Sequence, residues 1–267
     1  MLWQNIKTSG RDDMKWFASV NNHNRQLYLD YIKMYAVAVA TAKKTNPFIK
    51  PYLILDGDVD EEIKFLQDLG VHIILYKSYF NDALVNHYKD DTIALGAFLR
   101  VDIPKICRAM EIKDEFILYT DMDVMFVSDV SKLHDLTPTF FCASGEISMS
   151  STPSYFNTGV MWINWRNMDT MYKTFVSFII ENLPTFQVYD QDAFNQFYKF
   201  RYDYLSYYYN FKTYWGFDDG AKIIHFHGPK PTTKESDLMC FVHPQLITPS
   251  FYKWRDVFYQ IYNEKKR

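Results

Sequence analysis

Apolar and polar positions alternate with two different periods along the first half of the chain. Lys15-Trp16-Phe17-Ala18-Ser19-Val20 is a short apolar run that ends in the polar Asn21-Asn22-His23-Asn24, and from Leu27 to Ala42 apolar residues recur at helical spacing. The pattern predicts strand, loop, helix. Pro51 to Leu55 predicts a second strand closed by Asp56-Gly57-Asp58, Glu61 to Leu69 a helix stopped by Gly70, and Val71 to Tyr76 a third strand. Ile93 to Met110 is helical in period, with Pro104 expected to kink or split it because proline lacks the N–H a helix interior uses. Phe116 to Tyr119 predicts a fourth, buried strand.

Repeated strand–helix–strand units imply an α/β fold with a mostly parallel, Rossmann-like sheet and helices on both faces, and such sheets bind ligands at the carboxyl ends of their strands. The second half is less regular. Tyr155 to Trp165 predicts a strand with Gly159 inside it, Met168 to Glu181 an amphipathic helix, Gln191 to Tyr198 a short helix, Lys222 to His227 a strand, and Phe251 to Asn263 a terminal helix. No repeat, low-complexity tract or Gly/Ser-rich linker marks a boundary, so a single domain over residues 1–267 is expected.

Composition narrows the function classes. The formal net charge of -3 gives no basic excess, so no nucleic-acid partner is expected. Aromatic residues make up 18% of the chain, enough for a bulky core or for platforms on which rings stack. Cys107, Cys142 and Cys240 are odd in number and widely spaced, which suggests neither a disulfide framework nor a zinc cluster and points to a reducing compartment. The first residues carry no apolar core of an export signal, and no run of about 18 apolar residues occurs. A soluble, cytoplasmic protein is the expectation.

Two motifs carry candidate chemistry. In Phe116-Ile117-Leu118-Tyr119-Thr120-Asp121-Met122-Asp123-Val124, two carboxylates flank one residue just as a buried strand ends. They can share a hard cation such as magnesium or manganese, which prefers oxygen ligands and keeps positions open for substrate phosphates. A pair of acids in a solvated turn is the plain alternative. A strand followed by Asp-x-Asp-x-Val also resembles haloacid-dehalogenase-type phosphatases, in which Asp121 would be the nucleophile; the motif's position some 120 residues into the chain, after the acidic Asp56 to Asp60, is the wrong order for that family. The second motif is Ile223-Ile224-His225-Phe226-His227-Gly228-Pro229-Lys230-Pro231. Strand alternation puts His225 and His227 on one face, either of which could be a third metal ligand, Gly228 lets backbone approach a ligand, and Lys230 offers a point charge for phosphate.

With Tyr155-Phe156-Asn157-Thr158-Gly159-Val160-Met161 and Tyr189-Asp190-Gln191-Asp192 between them, these motifs in this order resemble glycosyltransferase family 8, which includes glycogenin and the bacterial sugar transferases of lipopolysaccharide assembly. The likeness runs from about residue 15 to residue 231. It implies a GT-A fold, with about residues 1–125 as the nucleotide-sugar-binding half and about 126–267 as an irregular acceptor-side half. It further implies a UDP-sugar donor, manganese or magnesium, and transfer of a hexose with retention of anomeric configuration to an oligosaccharide, glycolipid or glycoprotein. Carried over by position, Asp121, Asp123 and His225 would be metal ligands, with Met122 between them beside the donor. Gly228 and Lys230 would lie on the diphosphate, Arg100 on the donor, and Ser19, Val20, Asn21 and Asn22 around uracil and ribose. Asn157 would touch the sugar, and Asp190 and Gln191 would be the catalytic pair beside the reacting carbon. Many members read His-x-x-Gly-x-x-Lys-Pro-Trp, whereas here one residue fewer separates Gly228 from Lys230 and Thr232 stands for the Trp.

Since Gln191 is a poor nucleophile, same-face substitution guided by the leaving phosphate is expected, with Gln191 and Asp190 orienting the sugar. A catalytically inactive sugar-nucleotide-binding module is the other alternative. Ser206 to Phe211 and Trp215 to Asp218 are candidates for an acceptor groove or for core aromatics under long loops. Phe251 to Arg267 mixes aromatic and basic residues, compatible with peripheral membrane contact or with plain packing of a terminal helix.

Overall fold

The computed structural model describes residues 13–89, 91–232 and 248–265; the N-terminal stretch read for an export signal and Cys240 lie outside the described residues. The chain runs β1 (Met14–Asn21), α1 (Arg25–Thr45), β2 (Ile49–Asp56), α2 (Glu61–Asp68), β3 (His72–Leu75), α3 (Asn81–Tyr88), α4 (Thr92–Phe98), α5 (Ile103–Ala109), β4 (Phe116–Thr120), β5 (Val124–Phe126) and β6 (Phe141–Gly145). It continues through β7 (Phe156–Asn164), α6 (Trp165–Asn182), α7 (Tyr189–Phe197), β8 (Asp203–Tyr204), β9 (Phe211–Lys212), β10 (Ile223–His225) and α8 (Pro249–Lys265).

Strand alternation explains why helices cover both faces. Trp16, Ala18 and Val20 of β1, Leu118 of β4 and Val160 and Trp162 of β7 face one core, which α1 and α2 cover with Ile32, Tyr35, Val39 and Ile63. Phe17, Ile117, Tyr119, Met161 and Ile163, one residue out of phase, face a second core closed by α4, α5, α6 and α7. Trp16 and Trp162 are fully buried, and truncating either to Ala should cost about 3–5 kcal/mol.

The main sheet has the order β3-β2-β1-β4-β7-β6-β8. The first four strands are parallel, and β7 runs antiparallel to both β4 and β6. The chain moves outward from β1 to β3 and then returns to place β4 on the other side of β1, so the strand order reverses between β1 and β4. That switch point opens a crevice at the carboxyl ends of the two strands. Because β7 is antiparallel, its beginning lies where β4 ends, with Thr120 opposite Val160 and the Asp121 N–H donating to Gly159 O at 2.8 Å. A second, three-stranded sheet, β5-β10-β9, sets His225 opposite Val124.

Of the two outcomes expected of Pro104, a kink or a split, residues 93–110 take the split: α4 and α5 are joined by a 3-10 turn, Leu99–Asp102, and Pro104 sits in the first turn of α5, where a missing N–H costs nothing. Two further points correct the expectation. The strand expected over 222–227 is only Ile223–His225, since β10 ends where the turn to Gly228 begins. Helix α3 and strand β6 were not expected at all.

Candidate active site

A cleft of about 250 Å³ occupies the switch point, bounded by the end of β1, α4, the end of β4, the start of β7, α7 and the turn after β10. Ser19, Val20 and Asn21 line it. The Ser19 hydroxyl lies 3.1 Å from the Tyr119 hydroxyl, and Asn21 Nδ2 donates to Thr92 O at 2.6 Å, which ties β1 to the start of α4. Asn22 does not line the cleft: its N–H donates to Asp56 O and its side chain lies against Gly57.

Asp121 and Asp123 leave β4 with divided duties. Asp121 Oδ1 accepts from Arg100 Nη2 at 2.8 Å and from the Tyr119 hydroxyl at 3.3 Å, which leaves Oδ2 toward His225 Nε2 at 3.8 Å. Asp123 Oδ2 accepts from Lys230 Nζ, and Oδ1 faces His225 Nε2 at 3.3 Å. Oδ1 of Asp123 is buried with no hydrogen-bond partner. Asp121, Asp123 and His225 each offer a ligand atom within 4.8 Å of one another. An orphaned carboxylate oxygen beside a second carboxylate and an imidazole nitrogen is a donor set that fits a divalent cation. Burial alone would raise the Asp123 pKa, but the Lys230 ammonium and the His225 ring outweigh it and hold the carboxyl well below the usual range. His227 lies outside this cluster, with Nε2 3.4 Å from Glu146 Oε1. Met122, between the two acids, is buried at the cleft wall.

Arg100 is buried and donates through Nη1 to Thr158 O, through Nη2 to Asp121 Oδ1 and through Nε to Ala97 O, with Asp190 Oδ2 3.1 Å from Nε. Burial opposes its charge, yet Asp121 and Asp190 raise its pKa above the ordinary value. Asp190 shows the opposite balance: burial, with help from Asp121, outweighs Arg100 and pushes its carboxyl up to about 6. Gln191 is fixed by its amide, with Oε1 accepting from the Thr158 N–H at 3.2 Å and Asn157 Nδ2 at 2.9 Å while Nε2 donates to Glu146 Oε2 at 2.8 Å.

Two glycines are required by geometry. A Cβ on Gly159 would lie 2.3 Å from His225 Cε1 and 2.8 Å from Asp121 Oδ2, so only glycine lets β7 pass so close to the acids. Gly228 has φ +90, which turns the chain so that Lys230, two residues on, reaches back to Asp123. Gly228 itself does not line the cleft, whereas Lys230 does.

The residue set expected from sequence is thus mostly gathered, but three polar groups behind it were missed. Glu146 receives Asn157 and Gln191, Asn210 joins Asn157 to His225, and Lys212 is buried beneath them with Nζ on Gly145 O. None sits in a recognisable local motif. Of the candidate acceptor groove, Phe211 is core and Tyr207 and Trp215 pack on it, while Phe217 is exposed; none of these lines the cleft. Helix α8 buries Phe251 and Trp254 against α1 and Phe226, so its main aromatic side is spent on packing.

The sequence matches the family described as "Glycosyl transferase family 8" over residues 22–232. General stress protein A of Bacillus subtilis is 31% identical over 122 residues, a stretch that covers 39% of this chain and 41% of that relative. The fold resembles that of the glycosyltransferase GlyE of Streptococcus pneumoniae in its apo form, with TM-score 0.65 and 19% identity, covering 96% of this chain and 64% of that one. It also resembles the galactosyltransferase LgtC, crystallised with donor and acceptor sugar analogues, with TM-score 0.68 and 17% identity over 92% of this chain and 96% of that one. The architecture is that of GT-A glycosyltransferases.

Proposed function

This chain belongs to glycosyltransferase family 8, and on that premise we propose that it is a retaining, metal-dependent glycosyltransferase that moves a hexose from a UDP-sugar to a carbohydrate or glycoconjugate acceptor. The observation that carries the proposal is the convergence of Asp121, Asp123 and His225 in one strand-end cleft with Arg100 and Lys230 beside them. Those three side chains would hold Mn²⁺ or Mg²⁺, which when bound would offset the charge developing on the departing diphosphate. Lys230 supplies a second positive charge to the same phosphates by releasing Asp123. Ser19, Val20 and Asn21 enclose the nucleoside end, and Arg100 fixes Asp121 and Asp190 in place around the sugar.

Given the retention that family membership implies, the choice of route rests on what the sugar side of the cleft lacks. Gln191 has an amide committed to Thr158, Asn157 and Glu146, and Asp190 Oδ2 is held by Arg100 and Thr158. An amide is a poor nucleophile and the Asp190 carboxylate is engaged through Oδ2, which favours same-face substitution with the leaving phosphate receiving the acceptor proton. A covalent sugar adduct trapped on Asp190 would overturn this version. Family membership sets aside the phosphatase role for Asp121. Cys107 and Cys142 are free and buried, which supports a reducing compartment, and no described helix is long and apolar enough to cross a membrane.

A thermal-shift panel of nucleotides with and without Mn²⁺ tests the proposal. Stabilisation by UDP that depends on Mn²⁺ is expected, and stabilisation by no nucleotide would refute it. Hydrolysis or transfer across a set of UDP-sugars then separates an enzyme from an inactive donor-binding module.

A further inference from the structure

We propose that Asn210 is a positioning residue for His225, its side-chain carbonyl fixing the imidazole in the tautomer whose bare Nε2 faces Asp121 and Asp123. The inference rests on the proposed metal site and deepens it.

The orientation of each amide follows from groups that can act in only one way. The Gly159 N–H can only donate, and it donates to Asn157 Oδ1 at 2.9 Å. The Glu146 carboxylate can only accept, and Asn157 Nδ2 donates to its Oε2 at 2.8 Å. Asn157 is therefore fixed at both ends, with Oδ1 toward Asn210. Asn210 must answer with Nδ2, 2.7 Å away, and so presents Oδ1 to His225 Nδ1 at 2.9 Å. An acceptor at Nδ1 demands an N–H there, and a neutral imidazole carries one proton, so Nε2 keeps its lone pair.

Burial makes the relay binding. Asn157 is 2% exposed, Asn210 0% and His225 1%, so water cannot replace any link. Asn210 is itself anchored, because it closes the 3-10 turn Tyr207–Asn210 and leads into β9, which pairs with β10 through Phe211 and Ile224. The same carboxylate that starts the relay, Glu146, also receives Gln191 Nε2. One half-buried acid thus orients both the imidazole at the metal side and the amide at the sugar side.

The test uses the full chain and two readouts. Nitrogen NMR of EDTA-treated, ¹⁵N-histidine-labelled protein reports which ring nitrogen carries the proton. The His225 signals are assigned by their loss in His225→Gln. The wild type is expected to carry the proton on Nδ1. Asn210→Leu, similar in size but without an acceptor, should show a mixed or Nε2–H ring and bind Mn²⁺ about 10–100-fold more weakly by titration calorimetry. An Nε2–H ring in a wild type that binds Mn²⁺ overturns the inference, as does an Asn210→Leu protein with wild-type signals and affinity. If Asn210→Leu does not fold, the wild-type spectrum alone decides. A wild type that takes up no Mn²⁺ removes the metal-site proposal and, with it, a metal-positioning role for Asn210.

Discussion

The Lys230 ammonium donates to Oδ2 of Asp123, the acid whose other oxygen, Oδ1, is buried without a hydrogen-bond partner and faces His225. One cation of the chain therefore leans on a carboxylate that a divalent ion would also use.

Lys230→Met separates those two roles. Removing a like charge a few ångströms from the ion should tighten Mn²⁺ binding in the absence of nucleotide by roughly tenfold, equivalent to about 1.4 kcal/mol. Binding of UDP in the presence of Mn²⁺ should weaken, because the diphosphate loses a partner. Calorimetric titrations of metal alone, then of UDP at saturating metal, check both signs; a variant weaker for metal alone would contradict the expectation.

Asp123→Asn should leave the fold intact and lower transfer by about two to three orders of magnitude, since a divalent ion at a reacting phosphate contributes several kcal/mol. Turnover assays with and without EDTA check this. Full activity of the variant in EDTA would remove the metal role.

Arg100→Met leaves Asp121 and Asp190 without their shared buried partner, a change expected to cost about 3–5 kcal/mol of stability. Denaturant unfolding measures it. A loss under about 1 kcal/mol would mean that the pair is effectively solvated.

Gly159→Ala drives a methyl group into His225 and Asp121, whose atoms stand 2.3 and 2.8 Å from the ideal Cβ position. The circular dichroism spectrum should keep its α/β form while Mn²⁺ affinity falls at least about tenfold. Unchanged affinity would show that the cluster tolerates displacement.

Lys212→Met carries a pH signature. Burial pushes the Lys212 pKa down to about 7 from 10.5, against the opposing pull of Glu146. Between those two pH values the unfolded chain binds more protons than the folded one, so the wild type gains stability as pH rises, and below about 7 it bears the full cost of a buried charge. The methionine variant should be the more stable protein at pH 6, by at most about 4–5 kcal/mol, with its advantage shrinking above neutrality. Unfolding curves across the range test this; a pH-independent difference would contradict it.

The elements legible from sequence were those with a long, clean period. Helix α1, with buried residues from Tyr28 to Ala42, stood out by the helical spacing of its apolar positions, and strands β1, β2 and β4 as short apolar runs closed by polar residues, a pattern that fits their burial on both faces. Helix α3 was hidden because Asn81-Asp82-Ala83-Leu84-Val85-Asn86-His87-Tyr88 buries only Asn81 and Leu84, too few to set a period. Strand β6 was hidden because Phe141 is followed by the small residues Cys142-Ala143-Ser144-Gly145 with no alternation, although all five are buried.

At the site, Asp121 and Asp123 were visible because they adjoin a strand end, and His225 because, with His227, it stands in an apolar run that leads into the turn Gly228-Pro229-Lys230-Pro231. His225 could not be told from His227 by alternation, which puts both on the same face; the distinction comes from the pairing of β10 with β5, which sets His225 opposite Val124. Glu146, Asn210 and Lys212 come to lie behind the cleft only through pairings of β6, β9 and β10, elements two to five residues long that leave no periodic trace.

Asp121 and Asp123 lie in the link between β4 of the large sheet and β5 of the small one, while His225 ends β10, about a hundred residues further along. An ion shared among them acts as a reversible crosslink across that long loop. Loading the site should therefore fasten the second half of the chain onto the first, slowing proteolytic nicking and amide exchange in β9 and β10.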